Sequence, residues 1–212
     1  MNSSLARQVV STLVSMFGSD QGIALHEPEL TGNEERYSRE CIKSGWVSSV
    51  GSFVDRFEES LASYTGAKRA IAMVNGTAAL HLALYLLGVK RDEEVLIPAL
   101  SFVATSNAVL YLGAIPHFVD SCEMTLGIDC EKLDQYLDTV AVREAAGLRN
   151  KHTGRIIRAL VPMHTFGHPV DLDGLLDLCR KFGIEMVEDA AESLGSVYRG
   201  QHTGTWGRIG AL

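Results

Sequence analysis

Residues 69–88 read RAIAMVNGTAALHLALYLLG, and the pattern changes period in the middle. Ala70 to Val74 is an apolar run of strand length, Asn75-Gly76 is a turn signal, and Thr77 to Leu87 is an apolar helix closed by Gly88. The reading is strand, tight turn, helix, and the same unit recurs downstream. A strand over Glu94 to Pro98 leads to a helix through Ser101 to Leu112. Ile115 to Val119 is followed by a helix near Glu131 to Leu137, and Ile157 to Pro162 by a helix from Leu172 to Phe182. A last strand runs from Ile184 to Val187. Asp129 and Asp171 stand where helix N-caps are wanted. Short, nearly uninterrupted apolar strands alternating with helices predict an α/β fold, its mainly parallel sheet covered by helices on both faces. Asp138 to Gly154, carrying Arg143, Glu144, Arg149 and Lys151, reads as a polar surface crossover.

On the N-terminal side, Val9 to Phe17 follows a single Arg7, is diluted by Ser11, Thr12 and Ser15, and lacks a small-residue cleavage pattern, so it reads as an ordinary helix and not a signal peptide. Ile23 to Asn33 is polar and marked by Pro and Gly, Glu34 to Ser44 is helical, and Gly45 to Gly51 is a loop. Phe53, Phe57, Leu61 and Tyr64 recur at helical spacing, with Gly66 as the stop.

The 212 residues are 46% hydrophobic and 21% charged, which excludes disorder and allows a real core. A balance of 26 acidic against 19 basic residues gives −7, so no general field draws the chain to nucleic acid or an anionic membrane, and any anionic ligand must be held locally. Ala70 to Val89 and Val95 to Val119 lack charged residues and approach spanning length. Asn75-Gly76-Thr77 and His81 interrupt the first, and Pro98, Ser101, Thr105, Asn107, Gly113 and Pro116 the second, which fits a buried strand running into a buried helix. Cys41, Cys122, Cys130 and Cys179 form no C-x-x-C pair, which argues against zinc and fits reduced thiols in the cytoplasm.

In open α/β sheets ligands gather beyond the carboxyl ends of the strands, and three such ends carry chemistry. Gly76, Thr77 and Ala78 open a helix whose free N–H groups favour a phosphate, the alternative being a plain turn with Thr77 as N-cap. No phosphate-loop or dinucleotide glycine motif is present. Phe102 stands where the chain enters the next helix, either as core or as a platform for a ring. Val187 runs straight into Glu188-Asp189-Ala190-Ala191-Glu192, and three carboxylates at the end of a buried strand ask for a cationic partner, for which a ring nitrogen, a metal or an arginine would serve. No histidine cluster of ligand spacing accompanies them. The segment containing His164 and His168 adds polar groups at the same rim, each residue taken singly being more often structural than catalytic.

Taken together, NGTAALHLAL, the Ser101–Thr105 segment, PMHTFGHPVDLD and VEDAAESLGSVYRGQHTGTWG resemble the DegT/DnrJ/EryC1/StrS sugar aminotransferases, fold-type-I enzymes that use pyridoxal phosphate. The likeness runs from about Leu25 to Leu212. SGWVSSVGSFVDRFE together with HTFGHP and EDAAESLGS is similar to the branch that aminates 4-keto-6-deoxy nucleotide sugars on the way to legionaminic acid or bacillosamine.

The resemblance implies that Gly76, Thr77 and Ala78 hold the cofactor phosphate, that Phe102 stacks on the pyridine ring, that Asp189 pairs with its protonated nitrogen, and that Glu192 lies near the ring hydroxyl. It further implies that Trp46, Val47 and Ser48, with His164, line the nucleotide-sugar site, and that the enzyme is a cytoplasmic homodimer. An amino acid, glutamate by resemblance, would leave its nitrogen as pyridoxamine phosphate, which then aminates the keto sugar. Residues 1–50 would form N-terminal helices and a substrate-side loop, and 51–212 the cofactor-binding large domain without its C-terminal companion. In the family the Schiff-base lysine follows shortly after a segment like GTWGRIGAL. None of Lys43, Lys68, Lys90, Lys132, Lys151 and Lys181 stands in that context, so the 212 residues are expected not to turn over by themselves. A sugar dehydratase of the same fold, with histidine replacing that lysine, and a non-catalytic regulatory relative are the alternatives.

Overall fold

The computed structural model describes residues 3–18, 22 and 28–212. Two compact units divide between Gly51 and Ser52. The first holds α1 (Ser3–Phe17) and α2 (Glu34–Ser44). Gly45 ends α2 in the left-handed region at φ 77°, its N–H returning to the Ile42 carbonyl. Val9 to Phe17 is therefore helical as expected, whereas residues 23–27 of the polar stretch, Leu25 included, lie outside the described residues.

The second unit opens with α3 (Ser52–Thr65) and α4 (Gly76–Leu86). It continues through β1 (Glu94–Pro98), α5 (Val103–Tyr111), β2 (Ile115–Val119), α6 (Cys130–Val140), β3 (Ala141–Glu144), β4 (Gly147–Asn150), β5 (Ile156–Leu160), α7 (Leu172–Phe182) and β6 (Glu185–Asp189). A two-stranded hairpin of β7 (Val197–Tyr198) and β8 (Gln201–His202) precedes β9 (Ile209–Ala211). Strands β2, β1, β5, β6 and β9 lie side by side and parallel, giving the mixed α/β fold with a mainly parallel sheet that the alternation predicts. Asp129 and Asp171 cap α6 and α7 by accepting from the N–H groups of Lys132 and Gly174.

Period-two alternation sorts the core. Val95, Ile97, Ala159, Val161 and Val187 pack with Leu80, Leu84 and Val109 of α4 and α5. Leu96, Leu160 and Met186 pack on the opposite side with Leu133, Leu137, Leu175 and Phe182 of α6 and α7. Both faces are covered, which is why the strands read as continuous apolar runs.

Two expectations are corrected. Ala70–Val74 forms no strand, because among the described residues no neighbour supplies a ladder. It borders a trough of about 1280 Å³ whose other wall includes Ile209–Leu212, and Ile71 and Val74 stay exposed. Residues 141–150 are not a surface crossover but the antiparallel hairpin β3–β4, which joins the start of β5 and buries Leu148 and Asn150. Its charges sit between inward residues and mask the alternation.

The order of strands sets the site. From β1 the chain moves outward to β2, then crosses back to β5 on the other side of β1, so the direction of winding reverses between β1 and β5. Beyond the carboxyl ends of these two strands lies the crevice where such sheets take ligands.

Candidate active site

Phe102 and Met163 follow the two strands that flank this crevice. The Phe102 N–H points to the Met163 sulfur at 3.2 Å, which ties the entry of α5 to the end of β5. Phe102 is the N-cap of α5 and the residue is 63% exposed, so its ring is not buried in the core.

The next strand, β6, ends on Asp189, which is 4% exposed. Its Oδ2 accepts a 2.5 Å hydrogen bond from the Thr105 hydroxyl of α5, and among the described residues its Oδ1 has only a long 3.4 Å approach from the Ala191 N–H. Burial pushes the Asp189 carboxyl above the ordinary aspartate value, and the Thr105 bond, the Ala191 N–H and the nearby His164 offset this only in part. Oδ1 of this buried carboxylate therefore keeps acceptor capacity that the described residues do not fill.

Helix α4 begins at the same rim, where a Cβ on Gly76 would lie 3.7 Å from the Ala191 Cβ. The N-cap is Asn75, not Thr77. Its side-chain oxygen accepts from the Ala78 N–H at 2.9 Å, and its carbonyl from Ala79. Of the three expected phosphate donors, Ala78 is thus already occupied. The N–H groups of Gly76 and Thr77 have no protein partner among the described residues.

Glu188, one residue before Asp189 and pointing to the other face, is fully buried. Its Oε1 accepts from the N–H groups of Trp206 and Gly207, both at 2.6 Å. Its Oε2 accepts from Gly204 N–H at 2.8 Å and contacts His164 Nε2 at 3.1 Å. The demand for a cation at this strand end is therefore met, for Glu188, by backbone donors and a ring nitrogen. Among the described residues no His, Cys, Asp and Glu group could hold a metal.

His164 departs from its expected role as a substrate ligand. It is fully buried, and Nδ1 accepts from Val170 N–H at 3.4 Å while Nε2 faces Glu188, so its side chain joins strand end to loop and offers no edge to a solvent-borne ligand. Glu192 receives the Phe166 N–H at 3.0 Å, steadying a turn in which Phe166 adopts a positive φ of 54°. Trp46, Val47 and Ser48 lie in the first unit, on a turn where Trp46 and Val47 are exposed and packing against Trp46 leaves little room for a Cβ at Gly51. Three lysines spend their charge elsewhere: Lys132 on Asp120, Lys181 on Asp134 and Asp138, Lys151 on the Thr139 carbonyl.

A model of the DegT/DnrJ/EryC1/StrS aminotransferase family matches residues 28–212. The chain belongs to that family. It is similar to the GDP-perosamine synthase of Caulobacter vibrioides, 39% identical over 185 residues that make up 87% of this chain and 46% of the relative. Among solved structures it resembles the aminotransferase of Psychrobacter cryohalolentis, with a TM-score of 0.73 and 30% identity over 86% of this chain and 42% of that one. It also resembles Spr1654 of Streptococcus pneumoniae, known in PLP and PMP forms, with a TM-score of 0.74 and 26% identity over 89% and 47%. The chain spans about half the length of the relatives it matches. Aminotransferases of this family depend on pyridoxal phosphate.

Asn75, Thr105 and Met163 escape a reading of the sequence for site residues. The N-cap preference for asparagine could have flagged Asn75. Thr105 and Met163 carry no local signal, since their partners lie 84 and 61 residues away.

Proposed function

We propose that the protein moves an amino group from an amino acid, glutamate in this reading, to a 4-keto-6-deoxy nucleotide sugar, using pyridoxal phosphate seated beyond β1, β5 and β6. At full length it would work as a cytoplasmic homodimer. The observation that carries the reading is Asp189: a buried carboxylate with one oxygen fastened and the other left with acceptor capacity, on the strand next to the winding reversal of the sheet. Relatives named GDP-perosamine synthase, at 36–39% identity, support a nucleotide-linked sugar as acceptor.

The residues present fit the cofactor. The N–H groups of Gly76 and Thr77 would take the phosphate, favoured by the partial positive charge of the α4 N-terminus. The exposed Phe102 ring would cover one face of the pyridine, and Asp189 Oδ1 would accept from the ring N–H⁺ in a charge-assisted bond. When bound, the cofactor supplies an electron-withdrawing ring that makes the donor's Cα proton acidic. Asp189 serves that chemistry by holding the proton on the ring nitrogen, and a buried setting strengthens the attraction. Glu192 fixes the Phe166 turn at the mouth of the crevice.

The test uses the protein at its full encoded length, loaded with cofactor and given ¹⁵N-glutamate with GDP-, UDP- or dTDP-linked 4-keto-6-deoxy sugars. Transfer of ¹⁵N to at least one sugar nucleotide, detected by mass spectrometry, is expected. Asp189→Asn should lower turnover about 100-fold, the effect of losing a strong charged hydrogen bond. A loaded protein that aminates none of the three overturns the reading.

A further inference from the structure

Resting on the cofactor reading above, we infer that Thr105 is the positioning residue that decides how Asp189 meets the ring: its hydroxyl occupies Oδ2 and so presents Oδ1 to the protonated ring nitrogen. The hydroxyl donates across 84 residues of chain to a carboxylate oxygen 2.5 Å away, and both groups are buried, Thr105 at 1% and Asp189 at 4% exposure.

Within a helix a threonine hydroxyl ordinarily turns back to the carbonyl of the preceding turn. Here it reaches out of α5 to the end of β6. β-Branching leaves threonine few χ1 choices, so the hydroxyl is aimed by the backbone of α5 and not by a flexible arm. Helix α5 is itself pinned at its start, where the Phe102 N–H meets the Met163 sulfur and the Thr105 N–H returns to the Phe102 carbonyl. The line of fixed contacts therefore runs from β5 through α5 to Asp189.

Without the hydroxyl, Asp189 would keep one 3.4 Å N–H contact, too long to hold a carboxylate plane. A carboxylate has about four acceptor positions, and only a fixed plane gives a single one to an incoming N–H. Thr105 touches no part of the ligand. It acts through Asp189, so its effect should fall on recognition of the ring nitrogen and leave the phosphate and the stacked face untouched.

The experiment compares pyridoxamine 5′-phosphate with its 1-deaza analogue, in which the ring nitrogen is replaced by C–H, as ligands of the full-length protein. Affinities are measured by calorimetry, with thermal melts as a check on folding. The wild type should prefer the natural amine. Thr105→Val should weaken pyridoxamine phosphate about tenfold, as expected for one hydrogen bond to a charged group, and leave the analogue unchanged. Thr105→Ser should retain the preference. Thr105→Ala repeats the test with less crowding if the valine variant does not fold. A variant lacking the hydroxyl that keeps the full preference, or loses both ligands equally, overturns the inference. A wild type that binds neither amine, or both alike, overturns the cofactor reading and the inference with it.

Discussion

Two buried carboxylates sit at opposite ends of the sheet. At the amino end Glu94, 2% exposed, accepts from Thr153 Oγ1 at 2.5 Å and Asn150 Nδ2 at 2.9 Å, and pairs with His117 Nδ1 at 2.8 Å. At the carboxyl end Asp189 has the Thr105 hydroxyl and little else. Burial pushes both carboxyls up. Three side-chain partners overcome it for Glu94 and hold its pKa below the ordinary value, while Asp189 stays above. A carboxylate satisfied by its own chain is a fastener, and one left incomplete is a candidate binding site. The Glu94 partners come from β2, β4 and the loop after β4, so this one side chain anchors the hairpin that the sequence conceals.

Removing the fastener should do the most damage. Glu94→Ala takes the partner from His117 Nδ1, Asn150 Nδ2 and the Thr153 hydroxyl, and should cost about 3 kcal/mol in urea unfolding. A loss below about 1 kcal/mol would erase the contrast. The same site sets an acid limit. Its folded pKa lies below the unfolded value, so its stabilisation is complete at neutral pH. That contribution falls away as pH drops below 4.5 and through the folded value. In the alanine variant this component of the pH dependence should vanish.

Thr153→Val removes one of the three bonds and should cost about 1.5 kcal/mol, measured the same way. Asp189→Asn should act in the opposite direction. Because the Asp189 pKa is raised on folding, its charge costs stability at neutral pH, a cost that disappears as pH falls through the folded value. The neutral amide should leave the ligand-free protein as stable or up to about 1 kcal/mol more so, while impairing cofactor binding, the usual trade between a site and its scaffold. Destabilisation by more than that would place Asp189 with the fasteners. Asn75→Ala should be the mildest change, costing about 0.5–1 kcal/mol from a lost N-cap. It also frees the Ala78 N–H, so phosphate affinity should hold or rise in a binding assay.

Much of the fold was legible because parallel strands covered on both faces need nearly continuous apolar runs, and β1, β2 and β5, each with a single polar residue, and the Ile184–Val187 stretch at β6 come close to them. Ala70–Val74 has the same composition and still forms no strand. A strand is a relation between two segments, and the run itself says nothing about its neighbour. The hairpin at 141–150 was hidden by Arg143, Glu144 and Arg149, whose charges break up its short apolar stretches. At the site, Glu188, Asp189 and Glu192 could be singled out as a group because carboxylates after a buried strand are anomalous in sequence alone, and only the family resemblance pointed to Asp189 among them. His164 could not be assigned correctly, because its burial against Glu188 depends on two strands meeting side by side. Thr105 is an ordinary residue in an apolar helix until the fold brings Asp189 to it.

Glu188 and Asp189 are consecutive, face opposite sides of β6, and make incompatible demands. One needs a ring of backbone donors, the other a single hydroxyl and an empty seat. A slip of β6 by one residue would exchange them, setting the longer acid against Thr105 and withdrawing it from the Gly204–Gly207 loop. The strand thus polices its own alignment with polar groups where most strands rely on greasy ones. An insertion should be refused within Val187–Asp189, where one added residue would unseat two carboxylates at once.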